Sequence, residues 1–236
     1  MSDLLNGSFA PTTWKIGFVE SPADVVAGAY ENWKGALPGY SVAASAAPRD
    51  ATLSDVLRFL EPLTGPISMK TVIVPTRGAW TAVFEGHVNG GDPDSTVGYL
   101  AEKIECRGLA VSAVPSAPAP GAGEARLGSV GFSLVGPEET DWLNRVRVVH
   151  VIEESTGRWK FVTDGEIQDF EETGAYDARR VVDRLDVGRL AEYCGRLMGI
   201  DPFLESSYVP ERSELIAMSN PAVRFTKAKT YLELNR

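Results

Sequence analysis

The chain has 236 residues, 44% of them hydrophobic, with five Trp, seven Tyr and nine Phe; this is enough apolar surface for a packed core and too much for a disordered polymer. Its 32 acidic and 23 basic residues leave a net charge of −9, which argues against nucleic acid and against an anionic membrane, since both are met by clustered Lys and Arg. No run approaches the roughly 20 consecutive apolar residues of a membrane helix, and the opening segment has no basic stretch followed by an apolar one, so a cytoplasmic protein is expected.

Trp14, Ile16 and Phe18 alternate with Lys15 and Gly17, the two-residue period of a strand. Ser21-Pro22-Ala23-Asp24 then reads as a helix start, with Ser21 as cap and Pro22 in the first turn. Val26, Ala29, Tyr30 and Trp33 form the apolar stripe of that helix, and Gly35 with Pro38-Gly39 ends it. The Ala- and Ser-rich stretch 40–49 fits either a strand or an irregular connection. Thr52 and Asp55 have capping-box spacing ahead of the stripe Leu53, Val56, Leu57 and Leu60.

Thr71–Val74 and Trp80–Phe84, separated by Pro75-Thr76-Arg77-Gly78, predict an antiparallel hairpin. After the turn-rich Asn89–Asp94, Asp94 or Ser95 is placed to cap a third helix with face Val97, Leu100, Ala101 and Ile104. Strands over 109–114 and 126–135 flank the Pro- and Gly-rich 115–123, which is expected to be a mobile hairpin loop. In the next strand, within 141–153, Val146, Val148, His150 and Ile152 make the face expected to be buried; Gly157 turns it into Arg158–Val162.

Val187, Leu190, Ala191, Cys194, Leu197 and Met198 repeat at helical spacing until Gly199. Residues 201–236 are turn-rich and end basic, and read as an arm or tail on a domain formed by residues 1–200. A loose echo between Trp14–Glu20 and Trp80–Glu85, each followed by a capped helix, leaves room for two similar lobes. Strands arriving as adjacent hairpins predict an α+β fold, a largely antiparallel sheet with helices packed on one face.

Motifs with a definite mechanism are missing: no phosphate loop, no dinucleotide fingerprint, no His-Glu-x-x-His, no Gly-x-Ser-x-Gly and no Cys-x-x-Cys. Only His87 and His150 supply imidazole. His150 is expected in the core and His87 in an exposed loop. Cys106 and Cys194 are expected as free thiols, and no catalytic residue, metal site or cofactor is assigned.

The unusual feature is acidic. Asp164, Glu166, Asp169, Phe170, Glu171, Glu172 and Tyr176 lie in a segment with no Lys or Arg between Phe161 and Ala178, so its repulsion would be relieved by something positive. As a docking surface, Phe170 and Tyr176 would be aromatic anchors among the carboxylates; as a solvated face the segment needs no function.

The stretch from Gly78 through Phe84 and Asp94 to Cys106-Arg107-Gly108, with Arg158-Trp159 later, resembles uncharacterised bacterial soluble proteins. In general character the chain is similar to immunity proteins that neutralise bacterial toxins. That resemblance implies a non-catalytic module binding a basic protein partner such as a toxin. The alternatives are a carboxylate-based hydrolase or transferase, with or without a metal, and a structural or self-assembling subunit.

Overall fold

The computed structural model describes residues 4–118, 126–138, 140, 144–225 and 227–235. Its strands are β1 (Lys15–Val19), β2 (Ser41–Ala46), β3 (Leu63–Gly65), β4 (Lys70–Pro75), β5 (Thr81–Glu85), β6 (Gly108–Val114), β7 (Ser129–Val135), β8 (Arg145–Glu153), β9 (Trp159–Gly165), β10 (Glu214–Ser219) and β11 (Lys227–Lys229). The helices are α1 (Ala23–Gly35), α2 (Leu53–Arg58), α3 (Pro93–Ile104), α4 (Val187–Met198) and α5 (Tyr231–Leu234). Nine strands form one sheet in the order β2-β10-β4-β5-β1-β6-β7-β8-β9, and every neighbouring pair in it is antiparallel. The fold is therefore α+β around a large antiparallel sheet.

Both faces of the central strands are buried, which is why β4 and β5 read as nearly continuous apolar runs. On the first face α1 and α3 pack side by side, Val26, Tyr30, Val97 and Leu100 meeting Val19, Ile73, Val83 and Ile216. Trp33 of α1 stacks on Tyr99 of α3 at 4.2 Å. Close approach of α3 depends on Gly108: a Cβ there would lie 2.3 Å from Val97 Cγ1 and 2.8 Å from Val135 Cγ2.

The opposite face is also covered. There Phe18, Phe84, Leu109, Val111, Phe132 and Val149 meet α2, α4, Tyr208 and Tyr231. The expected single helical layer thus holds for α1 and α3, while the α2 stripe and α4 need a second apolar surface and find it across the sheet.

Local signals behave as the residues dictate, with two shifts. The Thr52–Asp55 capping box forms. Helix α3 is capped by Asp92, whose carboxylate accepts from Ser95 N and Ser95 Oγ, and not by Asp94 or Ser95, because Pro93 fits the first helical turn. Helix α1 starts after Pro22 with no side-chain cap; the Ser21 carbonyl instead accepts from Thr81 Oγ1. The stretch 40–49 does hold a strand, β2.

Residues 201–235 are not an arm. Strand β10 is inserted between β2 and β4, paired to β2 from Glu214↔Ala46 to Ser219↔Ser41 and to β4 from Glu214↔Ile73 to Ala217↔Lys70. Ile216 is fully buried, and Tyr231 is buried against Phe9 with ring centroids 4.9 Å apart. The two segments of the internal echo, β1 and β5, pair directly in this same sheet. The proline-rich loop expected over 115–123 lies largely outside the described residues, as does 141–143 of the strand expected over 141–153.

Candidate functional site

The acidic segment leaves the sheet at the end of β9 and is tied down from within. Arg147 of β8 faces the core, and its Nε and Nη2 donate to the two carboxylate oxygens of Glu171, each at 2.9 Å. Its Nη1 donates to the carbonyls of Asp164 and Gly165. The side chains of the pair are 5% and 0% exposed. Glu171 further accepts from Gln168 N at 2.8 Å and from Tyr176 OH at 2.6 Å. Burial and the Glu171 carboxylate push the Tyr176 phenol well above its usual range, so it stays a donor.

Four of the seven expected docking residues are thereby corrected. Glu171 is internal, and Glu172 pairs with Arg196 at 2.5 Å. Phe170 packs on Phe132 and Tyr193, and Tyr176 on Phe161, so neither ring is a free anchor. The neutralising arginines lie 24 residues away in each direction, outside any window in which the segment looks uncompensated.

Asp164, Glu166 and Asp169 remain exposed. Among the described residues none of these three has an ion-pair partner. They flank Ile167 in the sequence, a large apolar side chain that is 62% exposed. The adjoining β9 is an edge of the sheet, pairing only with β8, and no backbone hydrogen bond joins its outer side to another described segment.

A second feature escaped the sequence reading. The row Lys15, Ser112, Gly131 and His150 crosses β1, β6, β7 and β8 on the first face of the sheet, and its Lys15, Ser112 and His150 line a groove of about 800 Å³ beside the start of α3. The core side of β8 is that of Arg147, Val149 and Val151, so His150 points into the groove and away from the second-face core, contrary to expectation. Both sides of β8 are rich in valine; the buried side proved to be the one carrying a charge, because Glu171 accompanies it.

The His150 ring lies over Gly131, where a Cβ would be 2.3 Å from Nδ1, and Nε2 is 3.4 Å from the buried Ser133 Oγ. Burial lowers its pKa, against Asp94, which raises it, and together with Arg145. At the rim the Arg126 guanidinium covers the Trp14 ring at 4.3 Å.

These groups do not assemble into a nucleophile and base. Ser112 Oγ is 3.2 Å from Ser129 Oγ, and the serine nearest His150 is beneath it in the core. His87 closes a turn, its Nδ1 accepting from Asn89 N at 3.0 Å. Both cysteines are free; burial raises the Cys106 thiol to about 11 and the fully buried Cys194 higher still, so neither is a ready thiolate. No group of three His, Cys, Asp or Glu among the described residues is arranged to hold a metal ion. No helix among them is long and apolar enough to cross a membrane.

No protein-family model matches the chain, and no curated protein or solved structure matches it. The functional reading therefore rests on its own residues.

Proposed function

We propose that the chain is a non-catalytic protein-binding module, in its most concrete form a cytoplasmic inhibitor of the immunity type, whose partner is a basic protein such as a toxin. The observation that carries this reading is the division of the acidic segment. Glu171 is buried on Arg147, which holds the segment in place, and Glu172 is paired with Arg196 at the surface, while Asp164, Glu166 and Asp169 are exposed on either side of Ile167 in the sequence. An exposed apolar residue flanked in sequence by carboxylates that have no ion-pair partner among the described residues suits a basic surface with one apolar anchor, and charge of that kind governs encounter rate and salt dependence. The open side of β9 offers main-chain groups for a partner strand beside the carboxylates.

The test uses the whole chain and its Glu166→Lys/Asp169→Lys variant as paired baits in lysate of the native cell. The expected result is a basic protein retained by the unaltered chain, released by salt, and retained weakly by the variant. Equal retention by both baits, or release that ignores salt, removes this surface from consideration.

A further inference from the structure

The helices of the first face leave part of it open. Beside the first turn of α3, strands β6 and β7 present Ala110, Ser112, Ser129 and Gly131, side chains too small to fill the space, and the groove of about 800 Å³ is what remains. Its other walls come from distant parts of the chain: Pro11, Trp14 and Lys15 at the entry to β1, the loop from Val88 to Asp94, and Leu234 and Asn235 at the end of α5. These walls are fastened. The Tyr231 hydroxyl donates to Thr12 Oγ1, and Asn235 Nδ2 donates to the Ser8 carbonyl at 3.3 Å. The Glu85 carboxylate holds the loop before α3, accepting from Asp92 N at 2.8 Å and from Thr96 Oγ1 at 2.9 Å. A concavity built in this way is formed before any ligand arrives.

The polar groups of the lining divide into those already engaged and those that are not. Asp92 caps α3 through Ser95, and Asp94 faces Arg145 at 3.7 Å, so both carboxylates have protein partners. The cations differ. Among the described residues no carboxylate pairs with Lys15 or with Arg126. Arg126 donates from Nε to the Pro115 carbonyl and sits over the Trp14 ring, which fixes the guanidinium while Nη1 and Nη2 have no acceptor among the described residues. Ser112 and Ser129 share one hydrogen bond between their hydroxyls, so one hydroxyl proton is left to give. Donors and positive charge are in excess, which fits an anion and not a cation.

We propose that this groove binds a small organic carboxylate, its headgroup met by Lys15 and Arg126 and its apolar body lying against Val88, Val114 and Leu234. The volume selects against a bare inorganic anion: pockets for small organic ligands run from about 300 to about 1,000 Å³, and a phosphate ion would leave the aliphatic lining in water. The planar fork of Arg126 matches the two oxygens of a carboxylate. Two cations without a phosphate loop are too few donors for a polyphosphate. Asp164, Glu166, Ile167 and Asp169 are not in the lining, so this site and the surface proposed for a protein partner stand or fall separately.

The test is a titration of the full chain, followed by proton–nitrogen correlation spectra, with naphthoate and octanoate, each beside its neutral amide, and with inorganic phosphate. The expected result is saturable, one-to-one binding of at least one carboxylate, moving the Lys15 and Ser112 amides and the Trp14 indole N–H. Its amide should bind roughly tenfold or more weakly, as loss of a charge-assisted hydrogen bond requires, and phosphate should not saturate. Lys15→Gln and Arg126→Gln, made singly, should each reduce the carboxylate's advantage and leave the affinity of the amide in place, the same spectra reporting the fold. If one variant misfolds, the other and the carboxylate–amide comparison still decide. The proposal is overturned by shifts that saturate with neither carboxylate, by a carboxylate and amide that bind alike, by phosphate binding as tightly as the carboxylates, or by an advantage unchanged in both variants.

Discussion

Arg147 and Glu171 are 24 residues apart in sequence and meet inside the protein through two hydrogen bonds of 2.9 Å. The pair fixes the end of β9 and the following turn as one unit, because the same guanidinium also holds the Asp164 and Gly165 carbonyls. Removing one partner leaves the other buried and uncompensated, at a cost of about 3–5 kcal/mol. Glu171→Gln should therefore lower the urea midpoint by a matching amount, and Glu171→Lys should lower it further by opposing two buried cations. The double variant Arg147→Met/Glu171→Leu should recover much of the loss. A Glu171→Gln midpoint equal to that of the unaltered chain would show that the pair does not hold the segment.

The neighbouring pair makes the contrast. Glu172 and Arg196 are 52% and 45% exposed, so water screens their attraction and solvates either group alone. Arg196→Ala should leave the unfolding midpoint where it was, measured beside the Arg147 variants. A loss as large as theirs would mean that the exposed pair also carries the segment.

The difference between these two pairs explains what the sequence could and could not disclose. Hairpins β4–β5 and β8–β9 and helices α1 to α4 are legible because their causes are local: alternation, a cap within three residues, a glycine or proline at the end. Partners across the sheet are not. Strand β10 is a short apolar run between turn-rich flanks, and nothing within it says that it enters between β2 and β4, more than 140 residues earlier in the case of β4. Arg147 misled for the same reason, since a charge in an apolar strand marks the solvent side only when its counter-ion is absent. Of the expected docking residues, Asp164, Glu166 and Asp169 were legible as exposed. Glu171 was not, its role being set by a residue on another strand.

The C-terminal segment gives a direct stability test. The Tyr231 hydroxyl donates to Thr12 Oγ1 at 3.1 Å and its ring packs on Phe9, while its backbone N donates to the Glu61 carboxylate at 2.7 Å. It thus joins both ends of the chain to the α2 region. Tyr231→Ala should cost about 3–5 kcal/mol, the range for truncating a buried aromatic ring. Removal of residues 227–236 should lower the melting temperature at least as much. A truncated chain melting with the full one would restore the segment to the status of a tail.

Gly108 sets the distance between α3 and the sheet. A methyl group there meets Val97 and Val135 side chains, and Ala101 Cβ at 3.2 Å, so neither helix nor strand can give way alone. Gly108→Ala should cost about 1–3 kcal/mol as overpacking. Pairing it with Val97→Ala, which removes the nearest atoms, should reduce the penalty; additive losses in a double-variant cycle would place the strain elsewhere.

His150 predicts a pH dependence whose sign follows from its surroundings. Burial holds its pKa below the ordinary value, Asp94 partly offsets this and Arg145 reinforces it, so the folded protein keeps the ring neutral where an unfolded chain would protonate it. The unfolded value is about 6.5. Above that pH neither state binds the proton and the contribution is fully present. As pH falls from there through the folded pKa, the unfolded chain binds more protons and stability declines. The urea midpoint of the unaltered chain should therefore drop between about pH 7.5 and about pH 5.5, and His150→Gln should drop less over the same interval. Carboxylates titrate in both proteins and cancel in the difference, so equal slopes would mean that the groove floor leaves the imidazole free to protonate in the folded state.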